Sequence, residues 1–309
     1  MPVERYPVGD RAEWLARRRQ DVTASEVGAL LDGHDYVTPL MLYLDKAGVV
    51  PPDESDGPAL RRGRLLEPVA RALVSETEPD WRVTAGEVYL RDPDLRLGAT
   101  PDVLVVDAAG RTGVVELKSV EPGAFRRRWM RDGVPALPSW IAAQALVGAA
   151  LAEADFAAVG VLRVGWDIAF DLVPVEAPAG FLDRVAEVVA AFWAGVAAGQ
   201  PPEPDWDRDA DAVLDVARFG PLQTGRVVDL SGHNGIRALV AADQALAEDL
   251  AACARRRKAL KAELALLMGP ADAAVVDGAV VATQRMVARS GYSVPPTTVR
   301  ELRIVRRSA

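Results

Sequence analysis

Residues 98–119 constrain the fold most, because they contain two apolar runs separated by a short polar stretch. Residues 103–106 are rich in β-branched side chains, and the apolar pattern resumes over residues 113–117. The intervening Asp-Ala-Ala-Gly at 107–110 is typical of a tight turn. The segment therefore predicts a β-hairpin.

Three ionisable side chains, Asp102, Glu116 and Lys118, lie in or beside this hairpin. Side chains on a strand alternate between the two faces, so Glu116 and Lys118 are expected on the same face. A carboxylate and an ammonium group at the end of an otherwise apolar strand are costly to bury. They are therefore either a satisfied ion pair or part of a functional site.

The functional interpretation of these residues is metal-assisted hydrolysis. Asp102 and Glu116 would supply hard oxygen ligands suited to Mg²⁺ or Mn²⁺, and the carbonyl of Leu117 would add another oxygen. Lys118 would hold an attacking water or help to deprotonate it. A bound ion would offset the charge of a scissile phosphate and generate the nucleophile, which predicts hydrolysis of a phosphodiester with one or two ions as cofactor.

The rest of the composition leaves few other routes to catalysis. The single cysteine, Cys253, excludes an internal disulfide, a cysteine-held zinc ion and a four-cysteine iron–sulfur cluster. Two histidines, His34 and His233, leave little for a histidine metal site or a Ser–His pair. No signal-like N-terminal segment or membrane-length apolar stretch is apparent, so we expect a cytoplasmic protein without a membrane partner.

The net charge of −8 describes the whole surface and does not exclude a local binding groove for a polyanion. Arginine clusters at 17–19, 61–64 and 126–128 are either solvated helix faces or contacts to nucleic acid. Lysine is scarce, because only four of the 36 basic residues are lysines. A lysine on an apolar strand is therefore notable.

The order of the predicted elements indicates a mixed α/β layered domain. An acidic loop is expected at 51–58 and an arginine-rich tail after residue 300. The helix at 59–76 would bury Leu65, Leu66, Val69, Ala70 and Leu73, and another helix would begin near Val22 with Thr23 or Ser25 as its N-cap. The remaining helices are predicted at 13–19, 38–48, 122–131, 138–152 and 179–198, and the remaining strands at 81–90, 156–164 and 167–175.

Three regions are predicted along the chain. Residues 1–198 form the core domain, residues 199–211 a proline- and acid-rich linker, and residues 212–309 a helical arm. The arm has a heptad pattern over 236–268, which indicates packing on another helix within the chain or across subunits. A small terminal hairpin is expected around Asp277-Gly278.

Several loose motifs follow one another in order over about residues 14–165. They are Trp14 with Arg18, TASEV at 23–27, GRLLEP at 63–68, GATPD at 98–102, ELK at 116–118, and Gln144 in its apolar helix. This ordered set resembles the YqaJ-like viral recombinase, or lambda-exonuclease, family of the PD-(D/E)XK nuclease superfamily. The chain departs from this pattern at the spacing from Asp102 to Glu116, which is several residues longer than in lambda exonuclease, and a longer hairpin turn would absorb the difference.

The resemblance implies a restriction-endonuclease-like core, with a mixed central sheet flanked by helices, and an appended long helix with a small hairpin. It also implies a role for each matching residue. Asp102 and Glu116 would be metal ligands, Lys118 the catalytic lysine, and Glu67 a further acid that serves a second metal. Gln144 would orient the water or the scissile phosphate. Arg18 and Ser25 would bind a DNA phosphate.

Members of this family degrade one strand of duplex DNA from its 5′ end, often as rings, beside a single-strand annealing protein. The expectation is therefore a Mg²⁺-dependent exonuclease of phage-type homologous recombination, acting on duplex DNA ends as a homo-oligomeric ring. Two alternatives stay open. One is an endonuclease of the same superfamily acting on internal sites or junctions, and the other is a non-catalytic DNA-end binding or assembly protein.

Overall fold

The computed structural model describes residues 3–31, 33–50, 57–219 and 225–288. The chain divides into two compact units, Met1–Val216 and Ala217–Ala309. None of the described helices combines the length and hydrophobicity needed to cross a bilayer. Most of the predicted acidic loop at 51–58 and the whole arginine-rich tail lie outside the described residues.

The first unit contains most of the secondary structure. Its helices are α1 (Arg11–Gln20), α2 (Val27–Leu30), α3 (Pro39–Lys46), α4 (Pro58–Thr77), α5 (Pro122–Arg128), α6 (Ser139–Ala152) and α7 (Phe181–Ala198), and α8 (Trp206–Phe219) begins in this unit. Its strands are β1 (Glu4–Pro7), β2 (Val22–Thr23), β3 (Arg82–Ala85), β4 (Val88–Asp92), β5 (Leu97–Ala99), β6 (Val103–Val106), β7 (Thr112–Val120), β8 (Met130–Arg131), β9 (Val134–Pro135), β10 (Phe156–Val164) and β11 (Ile168–Val175).

A five-stranded mixed sheet forms the centre of this unit, with strand order β11-β10-β7-β6-β3. Strands β7 and β10 are parallel and the other neighbours are antiparallel. The predicted hairpin is confirmed as β6 and β7, which pair from Val106 with Thr112 to Val103 with Val115. Strand β7 continues five residues past this last pair, so its end has no β6 partner.

Helices cover both faces of the central sheet. On strand β7, Val114 packs with α6 residues such as Ile141 and Ala145, whereas Val115 packs with Val74 of α4. This alternation is the period of two that the sequence showed. The observed architecture confirms the predicted mixed α/β class, in which helices flank a mixed central sheet.

A second sheet, with order β1-β4-β5-β2, lies beside the first and shares its core with α3, α6 and α7. The single strand predicted at 81–90 is wrong, because the chain leaves β3 in the central sheet and enters β4 in the second. The break is at Gly86, whose Cα lies so close to the carbonyl of Pro101 that no side chain would fit. A close backbone approach of this kind requires glycine.

Two local predictions are corrected. Helix α2 begins after Glu26 without a side-chain cap, because the hydroxyls of Thr23 and Ser25 contact Arg18 instead. Helix α4 buries only Ala70 and Val74, while Leu65 is exposed.

The reason for the second difference is the position of α4. Its first half borders a cleft, which Gly63, Leu66 and Glu67 line, and reaches the sheet through the Arg62 side chain, which donates to Ser119 of β7. An apolar stripe in the sequence indicates which face points inward, but it does not tell whether that face meets a strand or a cleft.

The predicted linker at 199–211 includes the start of α8. Asp209 is buried there and accepts hydrogen bonds from the Thr38 hydroxyl and from the Asp205 amide. Residues 205–209 are therefore tied to the start of α3 within the first unit, and the predicted domain boundaries stay a prediction.

The second unit contains the predicted long helix, α9 (Ile236–Met268), followed by β12 (Ala273–Val276) and β13 (Ala279–Thr283). Strands β12 and β13 pair in an antiparallel hairpin that turns at Asp277-Gly278, both with positive φ. No residue of α9 is buried, and its heptad leucines, including Leu246 and Leu250, are exposed. The expected packing of this helix on another helix stays a prediction.

Candidate active site

The site is organised by the end of β7 that extends past β6. There the Oδ2 atom of Asp102 accepts a hydrogen bond of 2.7 Å from the backbone amide of Leu117. The Asp102 carboxylate thus takes the place of a missing strand partner. In a strand, the N–H and C=O of one residue point to the same edge, so the Leu117 carbonyl also faces this open edge.

Three side chains meet on the α6 face of the same strand. Lys118 Nζ donates to Glu116 Oε1 at 2.7 Å and to Gln144 Oε1 at 3.0 Å. Gln144 Nε2 donates to Glu116 Oε1 at 2.6 Å, which closes a triangle of hydrogen bonds. The prediction that Glu116 and Lys118 share a face is confirmed. The lone amide on the apolar helix α6 is explained by these two partners.

The charges of this cluster are strongly coupled. Burial raises the pKa of Asp102 well above its ordinary value, and the neighbouring Glu116 carboxylate raises it further. Burial alone would lower the pKa of Lys118, but the charges of Glu116 and Asp102 outweigh burial and raise this pKa. Lys118 is therefore a protonated hydrogen-bond donor in this arrangement.

A cleft of about 750 Å³ opens over the cluster and is lined by Asp102, Glu116, Lys118 and Gln144 together with Glu67 of α4. The structure thus brings the five predicted catalytic residues to one cleft. Among the described residues, no three His, Cys, Asp or Glu side chains are close enough to hold a metal ion by themselves.

The donors at the open edge nevertheless suit Mg²⁺, which binds to one or two carboxylates and keeps several waters. Glu116 Oε1 is engaged by Lys118 and Gln144, while Oε2 accepts no hydrogen bond from the described residues. The free Oε2, the second oxygen of Asp102 and the Leu117 carbonyl are the donors that remain for an ion. The metal roles of all these residues, and that of Glu67, stay predictions.

A second group of polar side chains surrounds Arg18. Its guanidinium donates to Ser25 Oγ at 3.1 Å and approaches Thr23 Oγ1 at 3.4 Å, and it lies over the Trp14 ring at 4.6 Å from the ring centre. A small pocket is lined by Arg18 and Ser25 and also by Glu116 and Gln144. The predicted phosphate-binding pair therefore adjoins the carboxylate cluster.

Sequence reasoning did not anticipate the role of Thr100, whose hydroxyl accepts a hydrogen bond of 3.0 Å from Trp14 Nε1. Thr100 lies two residues before Asp102 and lines both the cleft and the small pocket. Its position in the 98–102 motif was the available signal.

Sequence reasoning also missed the network beneath Arg18. Lys46 Nζ donates to the Arg18 carbonyl and to Glu26 Oε1, both at 3.1 Å, and its side chain is 1% exposed. Glu26 Oε2 accepts from the Thr23 amide at 2.9 Å. The scarcity of lysine was the signal here, because Lys46 and Lys118 are the only lysines before residue 258.

Residues 13–154 match the model of the YqaJ-like viral recombinase domain. All the predicted site residues from Arg18 to Gln144 lie within this matched part of the chain. The chain is also similar to the uncharacterized protein YqaJ of Bacillus subtilis (strain 168), with 26% identity over 231 residues that cover 72% of this chain and 68% of that protein.

Among solved structures, the chain is similar to an alkaline exonuclease, LHK-Exo, from Laribacter hongkongensis. The TM-score is 0.47 with 20% identity, and the alignment covers 66% of this chain and 99% of that one. The structure of LHK-Exo in complex with dAMP has a TM-score of 0.49 with 23% identity over the same shares.

Proposed function

We propose that this protein is a Mg²⁺-dependent DNA exonuclease that hydrolyses one strand of linear duplex DNA from its 5′ end, in phage-type homologous recombination. The observation that carries the proposal is the gathering of Asp102, Glu116, Lys118 and Gln144 at the open edge of β7, inside a YqaJ-like viral recombinase domain. Asp102 and Glu116 supply carboxylates for a metal ion, and Lys118 supplies a positive charge for a phosphate, in one cleft.

Each residue of the cluster has a physical task in this proposal. Asp102, Glu116 and the Leu117 carbonyl hold Mg²⁺ or Mn²⁺, and Glu67 serves a second ion. When bound, such an ion stabilises charge on the scissile phosphate and lowers the pKa of water. Because the Leu117 amide holds Asp102, the carboxylate is positioned before any ion binds.

Lys118 and Gln144 orient the reacting groups. The third ammonium hydrogen of Lys118 has no acceptor among Glu116 and Gln144, so it is available to an attacking water or a phosphate oxygen. Gln144 binds both Glu116 and Lys118 and fixes their relative orientation. A positioned donor of this kind contributes to catalysis through charge stabilisation.

Arg18 and Ser25 bind a phosphate at the DNA end or next to the cut. A guanidinium and a hydroxyl both donate to phosphate oxygens, and the charged hydrogen bonds are the stronger ones. The Trp14 ring and the hydroxyls of Thr23 and Ser25 hold the Arg18 guanidinium beside the cluster. A ring-shaped homo-oligomer and a single-strand annealing partner complete the proposal.

The test is incubation of the protein with Mg²⁺ and three duplexes, namely a linear one with 5′-phosphate ends, a linear one with 5′-hydroxyl ends, and a closed circle. We expect digestion of the linear duplexes only, faster from 5′-phosphate ends, with loss of a label placed at the 5′ terminus before one at the 3′ terminus. Glu116→Gln, which keeps the shape of the side chain, is the matched inactive control.

Two outcomes would replace the proposal. Nicking of the closed circle would establish an endonuclease. Binding of linear duplex without Mg²⁺ and with no cleavage when Mg²⁺ is added would establish a non-catalytic end-binding protein.

A further inference from the structure

The turn between β10 and β11 presents a fully exposed tryptophan, Trp166. Strand β10 runs parallel to β7, with Val161 opposite Lys118, so both strands run toward the same end of the sheet. Leu162 lines the cleft, and Trp166 follows four residues later. At about 3.3 Å per strand residue, the backbone of Trp166 lies within roughly 13 Å of that of Leu162.

An arginine cluster adjoins this turn. Helix α5 begins two residues after β7 ends, and its last turn carries Arg126, Arg127 and Arg128, all exposed. The turn touches the start of this helix, because a Cβ built on Gly165 would lie 2.9 Å from the Pro122 ring. The aromatic tip and the basic helix therefore belong to one surface at the active-site end of the sheet.

Two carboxylates also lie on this surface, and they leave an excess of positive charge. Glu121 is committed to capping α5, since its oxygens accept from the amides of Gly123 and Ala124 at 2.8 Å. Asp167 follows Trp166 in the turn. The three arginines of α5 outnumber these two carboxylates, so the surface favours an anionic ligand.

We infer that Trp166 and the arginines of α5 form a binding site for single-stranded nucleic acid. An exposed indole stacks on an unpaired base of any sequence, while arginines contact the backbone phosphates. A base-paired duplex keeps its bases stacked on one another, so it offers no free face to Trp166. The inference rests on the proposed function for the identity of the ligand. That ligand is the DNA strand that remains single-stranded when it leaves the cleft.

The test measures binding of a short, fluorescently labelled oligothymidine in EDTA, where no Mg²⁺-dependent cleavage occurs. Trp166→Ala is expected to raise Kd roughly tenfold, as is usual for the loss of one base-stacking aromatic. Trp166→Phe should retain most of the affinity. Trp206→Ala is the matched control, because Trp206 is also exposed but lies at the start of α8, and its Kd should equal that of the wild type.

The arginines are tested by salt dependence. The triple variant Arg126→Ala, Arg127→Ala, Arg128→Ala should bind more weakly, and log Kd should vary less steeply with log salt, by about 0.7 for each lost phosphate contact. Trp166→Ala should leave this slope unchanged.

An unchanged Kd for Trp166→Ala would overturn the inference, and so would a change in oligomeric size caused by that substitution, which would make the surface a protein interface. These results are separable from the proposed function. A protein that hydrolyses DNA but binds oligothymidine independently of Trp166 contradicts this inference alone. A protein that binds through Trp166 but never hydrolyses DNA contradicts the proposed function alone.

Discussion

Two regions of the first unit contain the same chemical pair, a largely buried lysine bound to a glutamate. On β7, Lys118 binds Glu116 at 2.7 Å, and beneath α1, Lys46 binds Glu26 at 2.9 Å. The side chain of Lys118 is 24% exposed and that of Lys46 is 1% exposed. The pairs differ in what remains of their hydrogen-bonding capacity.

Around Lys46 this capacity is used by the protein. The ammonium contacts Glu26, the Arg18 carbonyl and Asp45, and the second oxygen of Glu26 accepts from the Thr23 amide. Around Lys118, the described residues supply acceptors for two ammonium hydrogens and no donor to Glu116 Oε2, and both side chains line a cleft. A saturated pair stabilises the fold, whereas an unsaturated pair beside a cleft is available to a substrate.

The largest expected effect is that of Lys118→Ala on activity. This variant should lose on the order of a thousandfold or more in hydrolysis of linear duplex, because the donor to the reacting groups is removed. Its thermal unfolding should stay cooperative and close to that of the wild type. Near-normal hydrolysis by a folded Lys118→Ala protein would contradict the comparison and the proposed function together.

Lys46→Met should lower the stability of the protein and leave its activity unchanged, the opposite of Lys118→Ala. Removing one partner of a buried pair leaves an unpaired carboxylate on Glu26, which costs about 3 kcal/mol of unfolding free energy. Hydrolysis per folded molecule should stay close to that of the wild type. Urea titration measures the unfolding free energy. The rate of DNA hydrolysis at urea concentrations below the unfolding transition measures the activity of the folded protein.

The double variant Lys46→Met, Glu26→Gln is the control for this prediction, since it removes the unpaired charge and should recover part of the loss. A Lys46→Met protein of full stability and no activity would place Lys46 in the catalytic machinery and break the comparison.

The smallest effect concerns His34, which connects the loop of Ser25 to the core. Its Nδ1 accepts from the amides of Tyr36 and Val37, and its Nε2–H donates to the Ser25 carbonyl. Burial lowers the pKa of His34. Protonation of the imidazole would place a hydrogen on Nδ1, which already accepts two hydrogen bonds.

This shift gives a signed prediction for stability. When pH falls through the ordinary histidine pKa of about 6.5, the unfolded chain binds a proton that the folded chain does not. The free energy of unfolding therefore decreases, by at most about 1.4 kcal/mol for each pH unit until the lower folded-state pKa is reached. His34→Gln, which keeps an acceptor and a donor, should lower this dependence in urea titrations at pH 7.5 and 5.5. An unchanged dependence would show that His34 is not the group that titrates.

The sequence was most informative where one short pattern determined both fold and chemistry. The alternation on β7 predicted the hairpin and the shared face of Glu116 and Lys118, because the period of a strand is fixed by backbone geometry. It did not reveal that Asp102 binds the Leu117 amide. That contact depends on β6 ending before β7, and strand ends are set by tertiary packing.

Contacts between distant segments could not be predicted from the sequence either, because they also depend on tertiary packing. Glu26 and Lys46 are 20 residues apart, and no local pattern relates them. The break between β3 and β4 at Gly86 depends on Pro101, and the exposure of Leu65 depends on where α4 leaves the sheet. Propensity and periodicity describe a segment but not its neighbours.

The turn at 107–111 lies at the end of the β6–β7 hairpin opposite to the cleft. It is closed locally, since Asp107 binds the amides of Ala109 and Arg111 and the Arg111 side chain. A change of length here would be absorbed before the register between Val106 and Thr112 begins. For protein engineering, this makes the turn a place to insert a peptide tag or a dye-bearing loop that reports on the protein without disturbing the carboxylate cluster.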